Sequence, residues 1–206
     1  MSHNTPETNF HFLETEWPDI YNAATEAEKN VYTAPRTAAF YSRLALEISV
    51  RWIFENDAEL QMPFNDQLSG LMHEQDFKDL MRPSVWRDID YVRKVGNGAA
   101  HKLQGITATE ALESLRNLFR FMNWLARTYA EEDVPVYKFE ESLLPKEGGS
   151  DKSIAELQKM EERYANQVTA HKKTQERLLS SEEEIKKLQA QIQQIQQQKQ
   201  QNIERL

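Results

Sequence analysis

Apolar residues recur every three or four positions from residue 10 to about residue 130, and this spacing limits the folds that the chain can adopt. Such a period places apolar side chains along one face of an α-helix, whereas a β-strand would alternate apolar and polar residues. The clearest apolar face lies on a long helix that Thr33-Ala34-Pro35 opens, and it comprises Ala38, Tyr41, Leu44, Ala45, Ile48 and Trp52. The pattern therefore predicts an all-α fold in which this face packs against other helices.

Proline and capping residues mark the starts of other helices. Pro18 and Pro83 suit the first turn of a helix, where the missing N–H of proline costs nothing. Two short helices are expected before Pro83, at residues 65–73 and 75–81. Thr107-Ala108-Thr109-Glu110 matches a capping box, in which the threonine and glutamate side chains bond each other's backbone N–H groups. We therefore expect four or five antiparallel helices around one core.

The segment Pro145-Lys146-Glu147-Gly148-Gly149-Ser150 marks a boundary, because glycine, proline and serine neither fill a core nor continue a helix cheaply. The sequence predicts four parts: a flexible polar terminus at residues 1–9, a helical bundle at 10–131, an extended linker at 132–150 and a long helix at 151–206. Residues 134–139 alternate like a strand, but Pro135 favours an extended linker there.

Residues 151–206 differ in composition from the rest of the chain. They contain no glycine or proline and one aromatic residue, Tyr164, and glutamine supplies nine of the thirteen residues from 189 to 201. All of these residue types are compatible with one long helix. The composition therefore predicts a long helix that resembles a coiled-coil strand.

Two apolar seams run along this predicted helix. The first comprises Ile154, Leu157, Tyr164, Val168, His171 and Leu178. The second comprises Ile185, Leu188, Ile192 and Ile195 and continues through Lys199 and Asn202 to Leu206. Because the second a/d register is displaced by three residues, two contact segments or an antiparallel partner are favoured over one uniform parallel dimer. Polar residues such as Glu161 and Gln175 weaken the seam, so the alternative is that this helix is exposed and unpaired.

Charge and composition exclude several classes of protein. The formal net charge is −8, and residues 151–206 contribute about +1, so the body of the chain carries about −9. An acidic body is a poor default nucleic-acid binder, although a local basic patch remains possible. No cysteine is present, which excludes disulfides and thiolate metal sites. No apolar run reaches the length of a membrane span, so we expect a soluble, cytoplasmic protein without a membrane partner.

Motifs of common enzymes are absent from the sequence. There is no G-x-x-x-x-G-K-[ST] phosphate loop, no G-x-S-x-G elbow and no H-E-x-x-H zinc motif. His73 and His171 have no second imidazole at a spacing that suits a metal. We therefore expect neither a metal site nor a cofactor in this segment.

One stretch has the features of a functional site, namely Arg93-Lys94-Val95-Gly96-Asn97-Gly98-Ala99-Ala100-His101. The helix that begins at Pro83 is expected to end near Lys94, with Gly96 or Gly98 supplying the positive φ of a C-cap. Such a turn would bring Arg93 and His101 close together. The alternative is a simple helix cap followed by a histidine bonded to the backbone.

These residues also resemble a known family. Together with Arg43-Leu44-Ala45-Leu46-Glu47 and the helix at residues 115–124, the stretch Val92-Arg93-Lys94-Val95-Gly96-Asn97-Gly98-Ala99-Ala100-His101 resembles the small HEPN-like helical domain at the N-terminus of type I restriction enzyme R subunits. The resemblance covers roughly residues 10–130. It implies a four- to five-helix bundle, followed by a helical connector, within a DNA-translocating, ATP-dependent endonuclease subunit. The chain would then be one piece of a larger phage-defence enzyme.

The same resemblance implies an alternative catalytic role. Ribonucleases of HEPN type use an arginine followed after four to six residues by a histidine, without a metal and commonly across a dimer. A histidine can move the proton of the 2′-hydroxyl while a guanidinium stabilises charge on the phosphate. Here seven residues separate Arg93 from His101, and the residue at the matching distance is Lys94, which lacks the guanidinium fork.

Arginines also recur along the helix that follows Pro35. Arg36, Arg43 and Arg51 are seven or eight residues apart and lie on adjoining sides, so they could form a cationic stripe for phosphate or an acidic protein. The alternative is that they pair with Glu47 and Glu55 at four-residue spacing.

From the sequence alone, the favoured hypothesis is that this chain is a non-catalytic interaction domain. Its partners would be other subunits or domains of a restriction-modification complex, with DNA or RNA as further candidates and self-association through residues 151–206. The residues expected to bind a partner or nucleic acid are Arg36, Arg43, Arg51, Arg93, Lys94, Asn97 and His101. A stand-alone coiled-coil adaptor is the alternative if the resemblance is accidental.

Overall fold

The computed structural model describes residues 7–101, 105–148 and 151–204, with side chains for all of these except residue 196 and residues 198–204. Seven α-helices lie in these ranges: α1 (Pro18–Asn30), α2 (Pro35–Asn56), α3 (Leu68–His73), α4 (Gln75–Asp79), α5 (Pro83–His101), α6 (Ala108–Tyr129) and α7 (Ile154–Glu204). Two short 3-10 turns occur at His11–Leu13 and Glu141–Leu143. No strand occurs among the described residues, so the predicted all-α class is confirmed.

The four long helices α1, α2, α5 and α6 form the bundle. Helix α2 is central, because it packs against α1, α5 and α6, and α5 also packs against α6. Completely buried side chains at the centre include Phe10, Leu46, Ile53, Ile89, Leu115 and Phe121. Burying a side chain of this size typically contributes about 1.5–3 kcal/mol to stability. The predicted face of α2 is only partly right: Ala38 and Ala45 are buried, but Tyr41, Leu44, Ile48 and Trp52 are half-buried. Because α2 has helices on several sides, its completely buried positions also include Leu46, Val50 and Ile53.

The chain divides into two compact units, the first ending at Gln158 and the second beginning at Lys159. The first turn of α7 belongs to the first unit, where Leu157 is completely buried. The backbone N–H of Lys152 donates to Thr37 Oγ1 at 3.0 Å, and its Nζ lies 4.9 Å from the centre of the Tyr41 ring. The division therefore falls several residues after the glycine pair that marked the boundary in the sequence.

The predicted loose terminus at residues 1–9 is wrong for its last two residues. Thr8 and Asn9 are buried, and both bond the carboxylate of Glu28 on α1, which is itself only 3% exposed. The backbone N–H of Asn9 donates to Glu28 Oε1 at 3.0 Å. Asn9 also exchanges two hydrogen bonds with the backbone of Glu140. A buried carboxylate with several donors therefore fastens the start of the bundle, while residues 1–6 lie outside the described ranges.

Helix α5 does not end where the sequence predicted. It continues through Gly96 and Gly98 to His101, and the one positive-φ glycine among the described residues is Gly148. Gly96 instead allows close packing, because a Cβ there would overlap the Cβ of Arg43 and lie 3.0 Å from the carbonyl oxygen of Ala39. The expected helix end at Lys94 is therefore wrong, and the glycine serves the contact between α2 and α5.

The predicted capping box at the start of α6 is confirmed. Thr107 Oγ1 accepts a hydrogen bond from the backbone N–H of Glu110 at 3.2 Å, and the backbone N–H of Thr107 donates to Glu110 Oε2 at 2.9 Å. These bonds lower the pKa of Glu110, the backbone donor of Thr107 having the largest effect. Two N–H groups that the helix itself cannot satisfy are thus paired.

Between α6 and α7, residues 133–140 have no helix or strand, a 3-10 turn follows at Glu141–Leu143, and the segment lies against the bundle. The backbone N–H of Tyr137 donates to Asn123 Oδ1 at 2.9 Å, and Tyr32 OH donates to Glu141 Oε1 at 2.7 Å. Phe12 stacks on Tyr137 with ring centroids 4.9 Å apart, and Leu144 is 4% exposed. Side chains on three parts of the bundle therefore hold this segment in place.

The second unit consists of the remainder of α7. Its side chains are exposed from His171 to Ile195, including the apolar ones. The predicted seam positions Lys199, Asn202 and Leu206 fall outside the side chains that the structure describes. None of the helices in the described ranges has an apolar stretch long enough to span a membrane.

Candidate functional site

Asp90 on α5 binds both cations at the start of the predicted site motif. Its Oδ1 accepts hydrogen bonds from Nε and Nη2 of Arg93, at 3.2 and 2.7 Å, and its Oδ2 lies 2.7 Å from Nζ of Lys94. Burial alone would raise the pKa of Asp90, but the hydrogen bonds from Lys94 and Arg93 outweigh it and the pKa is lowered. The guanidinium of Arg93 is therefore directed toward the preceding turn of α5, where Asp90 lies.

Arg93 and His101 do not meet across a turn, contrary to the prediction. Both lie on the continuous helix α5, at opposite ends of two turns, so their Cα atoms are separated by a rise of about 12 Å. Asn97 lies between them on the same side of the helix and is half-buried, while His101 is exposed at the last helical residue. Within one chain, this spacing and the contact of Arg93 with Asp90 keep the two side chains apart.

Arg36 stabilises the C-terminal end of α5. Its Nη1 donates to the carbonyl oxygen of Ala99 at 2.7 Å, and Nε2 of Gln158 donates to the carbonyl oxygen of Ala100 at 3.1 Å. The last carbonyl groups of a helix lack intrahelical partners and carry partial negative charge, so a guanidinium suits this position. Arg36, the first arginine of the predicted cationic stripe, thus connects α2 to α5.

Arg43 lies where α2 and α5 are closest. Its side chain is 14% exposed, passes beside Gly96, and places Nη2 3.4 Å from Glu47 Oε2 one turn later. The pairing with Glu47 at four-residue spacing is one of the two alternatives that the sequence left open.

Arg51 holds the loop that leads from α2 to α3. Its Nη2 donates to the backbone carbonyl of Asp66 at 2.7 Å, and its Nη1 lies 3.6 Å from Oδ2 of the same residue. The arginine is 13% exposed. Arg51 therefore pairs with Asp66 of the following loop and not with Glu55, the partner that the four-residue spacing predicted.

The seven predicted binding residues thus lie along α2 and α5 but have different surroundings. Arg36, Arg43 and Arg51 reach three separate neighbours, and Arg93 and Lys94 share Asp90. The side chain of Lys94 is 66% exposed, whereas those of Arg43, Arg51 and Arg93 are between 13% and 17% exposed. Binding of nucleic acid or an acidic partner by this set stays a prediction, and it would compete with these internal contacts.

Two histidines of the bundle, His11 and His73, bond backbone carbonyl groups. Nδ1 of His73 lies 2.6 Å from the carbonyl oxygen of Ser69, and Nδ1 of His11 lies 3.2 Å from that of Thr8. Among the described residues, no three histidine, aspartate or glutamate side chains are grouped as metal ligands would be.

The loop between α2 and α3 exposes an aromatic side chain that the sequence reasoning missed. Phe64 is fully exposed and Met62 is partly exposed beside it, while Leu60 and Leu68 at the two ends of the loop are buried. The salt bridge from Arg51 to Asp66 fixes the loop between these anchors. The signal available in the sequence was two large apolar residues, Met62 and Phe64, on either side of Pro63 and among polar residues.

The longest exposed apolar row lies on α7. Ile185, Leu188, Ile192 and Ile195 are each between 51% and 63% exposed and are spaced by three, four and three residues. Such spacing places them on one side of the helix. This row is the second seam that the sequence predicted, and within the second unit it has no apolar neighbour from another helix.

Comparison with family models, with curated proteins and with solved structures finds no match to this chain. The class of protein is therefore defined by the fold and its surfaces alone. It is an all-α bundle whose chain continues into a long helix with an exposed coiled-coil seam.

Proposed function

We propose that this chain is an interaction and assembly module that acts without a catalytic step of its own. The observation that carries the proposal is the row Ile185, Leu188, Ile192 and Ile195, because branched aliphatic side chains at coiled-coil spacing gain stability only when another helix covers them. The bundle, which precedes this contact helix in the chain, supplies a folded body.

The arrangement of α5 supports a non-catalytic role. A metal-independent ribonuclease would need an imidazole and a guanidinium at one phosphate, yet Arg93 and His101 are two helical turns apart. Arg93 is also engaged by Asp90. The charged residues of the motif thus have structural partners, which favours docking over cleavage.

The biological setting of the module rests on the sequence resemblance. Residues 92–101 and 43–47 resemble the HEPN-like domain of type I restriction enzyme R subunits, so we place the chain in such a subunit. There it would dock partner subunits, or the nuclease and motor domains of its own enzyme, and the contact helix would set their spacing.

Titration of the purified chain with purified modification and specificity subunits of a type I system tests the docking role. A variant with Leu188→Gln and Ile192→Gln keeps good helix formers but removes half of the apolar row. A matched control carries Gln193→Ala and Gln194→Ala, which alter exposed residues on the other side of the helix. Binding that weakens at least tenfold in the first variant and not in the control supports the proposal. Equal binding by both variants contradicts the assigned surface.

A cleavage assay tests the alternative activity. Labelled single-stranded RNA and duplex DNA are incubated with the chain, with and without a divalent metal, beside Arg93→Ala and His101→Ala. We expect neither substrate to be cleaved. Metal-independent RNA cleavage that both substitutions abolish would establish a ribonuclease and overturn the proposed function.

A further inference from the structure

We infer that the partner of the exposed row on α7 is a second copy of the same helix, paired in parallel and in register over residues 177–195. This inference rests on the proposed function, because it takes the row to be a protein contact. It goes further by naming the occupant, its direction and the number of chains.

The residue types of the seam fit a two-stranded coiled coil. Taking Ile185 as position a of a heptad makes Leu188 position d, and Ile192 and Ile195 follow as the next a and d. Isoleucine at a with leucine at d, as at Ile185 and Leu188, favours two parallel strands, whereas isoleucine at both positions, as at Ile192 and Ile195, favours three or more. The number of chains is therefore assigned from the heptad of Ile185 and Leu188 and is tested below. Extending the register backwards places Leu178, which is 60% exposed, at the preceding a position.

The flanks of the seam suit an identical partner. Positions e and g beside Ile192 are Gln189 and Gln191, which are exposed and uncharged, and their amides both donate and accept hydrogen bonds, so they can pair with themselves. Position g beside Ile185 is Glu184, which in a parallel pair lies beside Gln189 at position e of the second copy, so no like charges meet there.

Charges near the start of the segment favour the parallel direction. In a parallel pair, position g of one helix lies beside position e of the following heptad on its partner. Arg177 occupies such a g position and Glu182 the matching e position, so the two-fold symmetric pair contains this opposite-charge contact twice.

The apolar residues favour the same direction. An antiparallel pair that aligns Ile185 with Ile195 places Leu178 opposite position 202, where the sequence has asparagine. The parallel pair instead packs Leu178 against Leu178 of the second copy. It therefore buries one additional apolar layer.

The lack of cysteine in the sequence allows a direct test of direction. Ser181 occupies position d, so Ser181→Cys places two thiols next to each other in a parallel, in-register pair, within the Cα separation that a disulfide requires. Ser180 occupies position c and faces away, so Ser180→Cys is the matched control. Both residues are exposed neighbours with the same native side chain.

The full chain is measured by sedimentation equilibrium over the micromolar range, and the two cysteine variants are oxidised mildly at the same concentrations. We expect the native chain to form a reversible dimer. The dissociation constant of the dimer should be at least tenfold higher for the Leu188→Gln, Ile192→Gln variant. We also expect Ser181→Cys to cross-link much faster than Ser180→Cys. Arg177→Glu should weaken the dimer, and adding Glu182→Arg should restore it.

Other results separate this inference from the proposed function. A chain that stays monomeric yet binds another subunit through the same row overturns the homodimer and leaves the interaction module standing. A trimer, equal cross-linking at both positions, or a dimer unaffected by the seam variant also overturns it. A dimer with the expected cross-link that binds no restriction subunit supports this inference and contradicts only the proposed setting.

Discussion

Gly96 on α5 lies directly against Arg43 on α2, and the gap between the two backbones has room for a hydrogen but not for a methyl group. The carbonyl oxygen of Ala39 lies on the same side of this contact. A glycine within a helix normally lowers its stability by about 1 kcal/mol relative to alanine. Its presence here is explained by the closeness of the two helices.

Gly96→Ala should therefore destabilise the bundle, although alanine is the better helix former. Overpacking of this kind typically costs about 1–3 kcal/mol. Gly105→Ala is the matched control, because nothing lies within 4 Å of a Cβ there and its stability should be unchanged or slightly higher. Urea unfolding followed by circular dichroism measures both. Equal stabilities would show that α2 and α5 do not pack as described.

Glu28→Gln should weaken the attachment of residues 8 and 9 to α1. The carboxylate accepts hydrogen bonds from Thr8 and Asn9, and an amide would place its own N–H₂ against these donors. Hydrogen bonds to a charged group typically contribute about 1.5–3 kcal/mol each, so a loss of at least 1 kcal/mol is expected. Glu26→Gln, which removes an exposed contact with Lys29, should change stability by less than about 0.5 kcal/mol.

The stability of the bundle should depend on the ionisation of Asp90 in acid. The pKa of Asp90 is lower in the folded chain than in the unfolded chain. Its contacts with Arg93 and Lys94 therefore stabilise the fold at neutral pH, and this stabilisation disappears as the pH falls below about 4 and the carboxylate is protonated. We expect Asp90→Asn to lower the free energy of unfolding at pH 7 by about 0.5–1 kcal/mol. The difference from the native chain should shrink toward zero in acid. Chemical unfolding at several pH values gives this comparison, and a constant difference would contradict the assignment.

The sequence was sufficient for the helices but not for their junctions. Thr107 and Glu110 located the start of α6, because a capping box depends on residues close together in the chain. Apolar spacing located only part of the buried face of α2, because this helix has neighbours on several sides. The course of α5 depends on Arg43, which lies more than fifty residues earlier. Glycine is compatible with both a helix end and a close helix contact, so local sequence cannot distinguish them.

The same reason limited prediction of the candidate site. Arg43 pairs with Glu47 at the spacing that the sequence offers, but Arg36 and Arg51 find backbone oxygens brought near by the fold. Phe64 was overlooked because its exposure depends on the anchors of its loop. The row on α7 was predictable, since its pattern is periodic and needs no other element.

The role of Arg36 distinguishes a structural cation from a phosphate-binding one. Its bond to the carbonyl oxygen of Ala99 secures the last turn of α5, so Arg36→Gln should lower stability by about 1–2 kcal/mol and increase amide hydrogen exchange near residue 101. Arg87→Gln, at an exposed position of α5, should leave both quantities unchanged.

Binding to a duplex oligonucleotide is measured in parallel at several salt concentrations. If Arg36 instead holds phosphate, its substitution will weaken binding and reduce the salt dependence by about one released ion while stability stays unchanged. We expect the reverse, a loss of stability without a change in nucleic-acid affinity, because the guanidinium already bonds the C-terminal end of α5.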